Sequence, residues 1–401
     1  MKENLYVNVH AIQTVPPCCI NRDDTGAPKT AIYGDKVRAR VSSQCWKRAT
    51  RKYFMENNQE WDMAVRTRCV PTMIAEDIQK LDSEISEKDA LALAGTVITA
   101  AGIGKIDAKA ESKKKDNDDK DDEQEKETAA NVNALFFISR KQTEELAKIA
   151  IRYKKEKEDI EKNCDKKEIK KQIADLDKQM KKEAELAAKE NPTIDMALFG
   201  RMAASNPTLG YDAAVQYAHP ISTHEVANEF DFFAAVDEYL PEGAAGAAHI
   251  DTSEFNSFTM YRNATLNVKE LAKSLKEDTA KAVRDFVEAF VLSMPTGKQN
   301  SFANNTLPDA VYVTINRDMP VSLSGAFEKA ITADGDGYVN KSVRAMMEYA
   351  AERNEDYGAP AVSLAVGRRM KEYDGIEVSS LNNILSRLEE EIGKELNREV
   401  I

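Results

Sequence analysis

Helical patterning runs almost unbroken from about residue 61 to residue 200 of this 401-residue chain, and segments that alternate like strands lie on both sides of it. Residues 4–12 read as a strand, Leu5, Val7 and Val9 alternating with Tyr6, Asn8 and His10. Residues 16–35 are rich in Pro, Asn, Asp and Gly and read as a loop. Residues 36–42 alternate again, and Ser42-Ser43 predicts the N-cap of a helix running to about Asn57. Beyond the helical stretch a long hairpin is expected between about 229 and 260. A strand over 261–268, a helix over 269–293, a strand over 309–316, a helix over 342–354, a strand over 361–366 and a helix over 379–397 follow. Helices and strands in this order predict an α+β core.

Two stretches inside the helical region are unusual. Residues 107–128 hold ten acids and six bases with no apolar periodicity, which predicts a disordered surface insertion. Arg152 to Glu190 holds thirteen bases and eleven acids, with Ile160, Cys164, Ile169, Ile173, Leu176 and Met180 as a thin apolar stripe. That predicts a long solvated helix or a helical hairpin. A coiled-coil structural protein is a competing reading, but it rests on this stretch alone.

No run approaches the roughly 18 apolar residues of a membrane helix, and the N-terminus lacks a signal-peptide core. Five cysteines at Cys18, Cys19, Cys45, Cys69 and Cys164 form no CxxC pair and no zinc spacing, which fits reduced thiols in a cytoplasm. Gly104-Lys105 and Gly297-Lys298 both lack the remaining residues of a P-loop. Asp334-Gly335-Asp336-Gly337-Tyr338 starts like a calcium loop but has Ala345 where a bidentate Glu belongs, so it reads as a turn. His219, His224 and Glu225 lie close in sequence, yet no partner constellation supports catalysis. No cofactor, metal or catalytic residue is expected.

Charge is more informative. The chain carries 56 Lys and Arg against 68 Asp and Glu, a net charge of −12. Residues 20–52 oppose this with nine bases (Arg22, Lys29, Lys36, Arg38, Arg40, Lys47, Arg48, Arg51, Lys52) and three acids, Asp23, Asp24 and Asp35. That window is +6, leaving −18 for the rest. Strand alternation puts Lys36, Arg38 and Arg40 on one face and Val37, Ala39 and Val41 on the other. On the following helix Lys47/Arg51 and Lys52/Arg48 are each four apart and are expected on one side, with Trp46, Ala49 and Tyr53 facing the core. Ser42, Ser43 and Gln44 stand at the helix start, where free N–H groups favour a phosphate. A basic strand feeding a basic helix is a track for a sugar-phosphate backbone.

The run Asn21-Arg22-Asp23-Asp24, Lys29, Ala31-Ile32-Tyr33-Gly34 and Arg38-Ala39-Arg40-Val41-Ser42-Ser43-Gln44-Cys45-Trp46-Lys47-Arg48-Ala49 resembles the CasC family, the backbone subunit of the type I-E CRISPR Cascade surveillance complex. Ala197 to Met202, Ala218 to His224, Pro295 to Asn300 and Gly325 to Glu328 agree with it in order along the chain. The insertion at 107–128 and the long 152–190 helix depart from the pattern.

The resemblance implies a modified RNA-recognition (ferredoxin-like) palm over 1–60 and 261–401, helical fingers over 61–200, a palm connection over 201–228 and a thumb hairpin over 229–260. It also implies several copies, typically six, stacked head to tail along one CRISPR RNA, with the spacer left open to pair with target DNA and other Cascade subunits as partners. The role is non-catalytic. By position, Met202 and Ile250 match the family's wedge residues, which enter a kinked strand. The hairpin has seven acids and no Lys or Arg, so it is expected to meet bases or a basic neighbour and not phosphates. A metal-dependent endoribonuclease of the related type III backbone class is the alternative, with Asp23 and Asp24 as its only metal ligands near the track.

Overall fold

The structure is a computed structural model that describes residues 4–105, 131–203, 205–236 and 247–398. The stretch 107–128, expected to be disordered, and the tip of the 229–260 hairpin lie outside the described residues. The chain forms two compact units, Met1–Gln59 with Ala214–Ile401, and Glu60–Ala213.

The first unit opens with β1 (Tyr6–Cys18), β2 (Thr30–Tyr33), β3 (Lys36–Ala39) and α1 (Ser43–Asn57). The second holds β4 (Val65–Thr67), α2 (Val70–Leu81), α3 (Glu87–Ala101), β5 (Phe136–Ile138), α4 (Arg140–Asn163), α5 (Lys166–Lys189) and α6 (Ile194–Phe199). The chain returns to the first unit through β6 (Val215–Tyr217), β7 (Ile221–Ser222), β8 (Glu229–Val236), β9 (Ala247–Asn267), α7 (Val268–Leu275), α8 (Thr279–Leu292) and α9 (Gln299–Phe302). It ends with β10 (Ala310–Asn316), α10 (Val339–Tyr357), β11 (Val362–Val366), β12 (Glu377–Val378) and α11 (Leu381–Asn397).

Eight strands form one sheet in the order β12-β11-β10-β1-β9-β6, with β7 and β8 also pairing on β9. The β11–β12 pair is parallel and the others are antiparallel. The sheet is covered on both sides, and that changes how β1 reads. Alternation in a half-exposed strand would put Asn8 and His10 in water, but both are buried at the centre. Asn8 is satisfied there by Thr314, Asn316 and Thr265. The same face carries Ile12, Tyr261 and Tyr312, packed with Val343 and Met346 of α10. The opposite face meets α8, whose Phe286 and Phe290 are fully buried.

Strand β1 is longer than the sequence suggests. It continues through Pro16 and Pro17 to Cys18, because a register shift between Val15 and Cys18 relieves the ladder of the missing N–H groups. The expected loop over 16–35 also contains β2, joined to β3 by Gly34 and Asp35 at φ 56° and 62°, the left-handed pair of a tight hairpin turn. Gly34 has a second constraint, since a Cβ there would lie 1.6 Å from the Glu328 carbonyl oxygen. The helix expected over 269–293 is two helices, α7 and α8, interrupted at Lys276, where φ is 49°.

In the second unit, α2, α3, α4 and α5 enclose an apolar core built on Ile74, Ile78, Val97, Ile98 and Leu146. The 152–190 stretch is a hairpin of α4 and α5. Asp165 breaks it by accepting the Lys167 and Glu168 N–H groups as an N-cap. Leu176 and Met180 are the buried part of its stripe, packed against Tyr153. Among the described residues no helix is long and apolar enough to cross a membrane. The five cysteines are free thiols.

His10 provides a test of the buried polar face. Its Nδ1 lies 2.8 Å from the Tyr261 hydroxyl, and burial pushes its pKa down from 6.5 to about 3. The unfolded chain therefore binds the extra proton. Stability from this site is complete above about pH 6.5 and is lost as pH falls toward 3, by up to about 1.4 kcal/mol per pH unit. Melting temperatures of the native chain and His10→Gln across this range should diverge in slope, and parallel profiles would contradict the assignment.

Candidate nucleic-acid interface

The basic window lies wholly within the first unit. Asn21 organises it: its Oδ1 accepts the Ser42 N–H at 2.8 Å, and its carbonyl accepts the Lys29 N–H at 2.9 Å. Ser42 caps α1, with Oγ accepting the Cys45 N–H at 3.3 Å. Ser42 and Ser43 side chains are buried, while Gln44 is exposed.

The structure corrects the expected strand face. By register Lys36 and Arg38 do share a face, but Arg38 alone turns inward. Arg38 is fully buried and donates to the carbonyls of Ser222 (3.0 Å), Phe327 (3.0 Å) and Glu328 (3.3 Å). Its guanidinium is a structural strut and does not present to a strand in solvent. Lys36, at the hairpin end, is exposed and pairs with Glu225 at 3.4 Å. Of the face expected to be core, Ala39 and Val41 are buried as expected, while Val37 and its partner Ile32 are open to water, 42% and 79% exposed. Hydrogen-bonding demand decided this: Arg38 serves three buried carbonyls that an apolar side chain would leave unpaired.

Arg40 follows β3 and donates to His219 Nδ1 at 3.2 Å. Burial, and then the nearby Arg40 and Lys29 charges, hold the His219 pKa below its ordinary value. Lys29, Arg40 and His219 thus mark an electropositive spot. His224 is separate and structural, stacked 3.6 Å from the Tyr338 ring and accepting the Thr259 N–H. Arg22 is exposed in the loop ahead of Lys29.

Helix α1 is also turned relative to the expectation. Trp46, Thr50 and Phe54 face the core, and Ala49 and Tyr53 are only half-buried. Thr50 bonds Ser293, and Trp46 lies under the buried Arg262 guanidinium at 4.1 Å. As a result the four helix cations split. Arg48 and Lys52 line a groove of about 460 Å³ opposite Ser293 to Gly297, with Gln299 and Asn305; Lys47 and Arg51 do not line it. Lys47 is half-buried, and that desolvation lowers its pKa. The sequence reading missed the loop wall of this groove. Its visible signal was Gly297-Lys298, set aside as an incomplete P-loop.

The two expected wedge residues are exposed, Met202 by 89% and Ile250 by 57%. Met202 belongs to the helical unit and Ile250 to the β8–β9 hairpin. In that hairpin Phe230 and Phe232, each 67% exposed, share a face with Ile250. Asp23 sits in a turn, its carboxylate accepting from Thr25 N (2.9 Å), Thr25 Oγ1 (2.7 Å) and Ala27 N (3.1 Å).

No curated protein matches this chain. It is similar to a solved chain titled "CRISPR RNA-guided surveillance complex, pre-nicking", with 30% identity and a TM-score of 0.72 over 96% of this chain and 99% of that one. A second, titled "CRISPR RNA-guided surveillance complex", is 27% identical with a TM-score of 0.65 over the same shares. Residues 7–391 match the family described as CT1975-like protein. With the match running from the first strand to the last helix, the chain belongs to the CT1975-like protein family.

Proposed function

We propose that this protein is the non-catalytic backbone subunit of a type I-E CRISPR surveillance complex, and that copies of it assemble along a CRISPR RNA. The observation that carries the reading is the α1 surface: an Asn21-braced, Ser42-capped helix whose cations Lys47 and Arg51 follow the loop cations Arg22, exposed, and Lys29, half-buried. Such a surface grips phosphates without reading bases, so any spacer is accepted and pairing with target DNA supplies specificity. In this reading the sheet unit is the palm and the helical unit the fingers. The β8–β9 hairpin is the thumb, reaching a neighbouring copy with its apolar face. About six copies, other Cascade subunits and a cytoplasmic location complete the assignment. Two wedges, Met202 and Ile250, would offset the few kcal/mol of unstacking a base step.

The endoribonuclease reading has no comparable support. Asp23 is committed to its turn, and among the described residues no group of three or more His, Cys, Asp or Glu could hold a metal ion.

Co-expression with neighbouring subunits should copurify an RNA of uniform length. Lys47→Ala should weaken all guides about equally and lower the salt slope of binding by roughly 0.7, the single-strand value per phosphate. Strong dependence on guide sequence with an unchanged slope would sink the reading.

A further inference from the structure

The groove beside α1 is not used by the helix face that carries Lys47 and Arg51. Its floor, Ile20, Ser293 and Pro295, is buried, whereas Arg48, Lys52, Glu56, Thr296 and Asn305 on its walls are exposed and polar. Glu56 is the carboxylate among the lining residues, and it is paired with Lys52 at 3.4 Å, away from Arg48 along the helix.

The loop wall is held in a costly geometry. Gly297 lies against the end of β1 so closely that a Cβ would sit 2.4 Å from the Ile20 carbonyl oxygen. Lys298 and Ala303 bracket α9 with φ of 47° and 48°, a region that side chains other than glycine's adopt only under constraint. Lys298 Nζ donates to Ser253 Oγ of β9, and Gln299 Nε2 donates to Asn305 Oδ1, so the loop's two amides are fixed as a pair. Phe302 packs against Phe255 with ring centroids 5.8 Å apart.

We propose that this groove is a second anion seat, which holds one phosphodiester group of a nucleic-acid strand between the Arg48 guanidinium and the 296–299 loop. The strand itself rests on the functional reading above; the seat is additional to the Lys47/Arg51 track. A guanidinium fork matches phosphate oxygens two at a time, and Lys52 beside it engages the Glu56 carboxylate, which would otherwise oppose an anion there. The polar rim suits a solvated backbone, and the small apolar floor of Ile20 and Pro295 suits the edge of a sugar. The acidic hairpin of a second copy is a poorer occupant. Its exposed face is aromatic, with Phe230 and Phe232, and it would need an apolar rim that this groove lacks.

The phosphodiester can come from the guide RNA or from the target strand, and two binding assays separate them. The Arg48→Ala/Lys52→Ala double variant changes exposed side chains, and thermal melting checks that it folds like the native chain. One assay measures the salt dependence of guide-length RNA binding to the full chain. The other measures that of complementary single-stranded DNA binding to the guide-loaded assembly. The salt slope is expected to fall by about 0.7 in the assay whose strand occupies the groove. Arg48→Lys should restore most of the slope but not the affinity, because the charge returns without the fork. A fall in the RNA assay assigns a guide phosphate, and a fall in the DNA assay assigns a target phosphate. Unchanged slopes in both overturn the proposal, as does loss of copy–copy assembly with both slopes unchanged, which would assign the groove to a protein partner. The two readings fail separately: a silent Lys47→Ala counts against the guide track, and a silent double variant beside an effective Lys47→Ala counts against the groove alone.

Discussion

Arg201→Ala is expected to destabilise the helical unit by about 4 kcal/mol, within the range for breaking a buried charged network. The side chain is buried and its guanidinium serves three separate backbone carbonyls: Leu209 at 2.9 Å, Phe137 at 3.1 Å and Ala188 at 2.7 Å. It also reaches Gln142 Oε1 at 3.3 Å, the residue that closes the capping box of α4. The Phe136 and Tyr211 rings lie against it, each 4.9 Å from the guanidinium carbon. Burial lowers its pKa to about 10, so it stays charged near neutrality. Alanine would leave those carbonyls unpaired and open a void between two rings. Lysine would not rescue it, since one ammonium cannot span acceptors on β5, α5 and the 207–209 turn. For a unit of this size the melting temperature should drop by roughly 12 °C. Calorimetry measures the shift, and proteolysis within 60–213 locates it. A shift under about 3 °C would show that water or a neighbour replaces the guanidinium.

The second large effect couples stability to the interface. Arg262→Met should cost about 3 kcal/mol, from lost charge-assisted bonds and unpaired carbonyls. Arg262 lies on β9 opposite Ala11, and its Nη1 and Nη2 donate to the Phe290 and Val291 carbonyls at 2.8 and 3.2 Å. Those carbonyls close the C-terminal end of α8, where the helix dipole favours a cation. The guanidinium also stacks on Trp46 of α1 at 4.1 Å and on Phe290 at 4.6 Å. One buried cation therefore fixes both the helix that bears Lys47 and the segment that leads into the 293–299 loop. Methionine fills much of the volume but holds neither carbonyl. RNA affinity should fall as α1 loses its seat, while the salt slope stays at its native value, because no phosphate contact has been removed. A reduced slope would mean that Arg262 itself reaches the strand, and unchanged affinity would mean that α1 is held by other contacts.

How much of this was legible in the residues depends on how local each signal is. The Ser42 cap, the span of α1, the positions of β10, β11, α10 and α11 and the helical character of 61–200 all follow from spacing and capping chemistry within a few residues. So does the concentration of positive charge in 20–52, which pointed to the interface. The break at Asp165 resolves the 152–190 stretch into a hairpin through the same short-range rules.

What the sequence could not settle was which way each face turns. Alternation groups Lys36 with Arg38 but does not say that Arg38 alone turns inward. That depended on the carbonyls of Ser222, Phe327 and Glu328, which lie about 180 and 290 residues away along the chain. Helical spacing groups Arg48 with Lys52 and Lys47 with Arg51, but the burial of Trp46, Thr50 and Phe54, with Arg262 stacked over Trp46, sets the turn of α1 at which the two pairs part. Asn8 and His10 look like solvent positions until the neighbouring strands and Val321 supply their partners. In each case the deciding partner is distant in sequence, and a buried polar group takes whichever orientation gives it a hydrogen bond. Local pattern determined the elements and where charge gathers; long-range hydrogen bonding decided which of those charges face solvent.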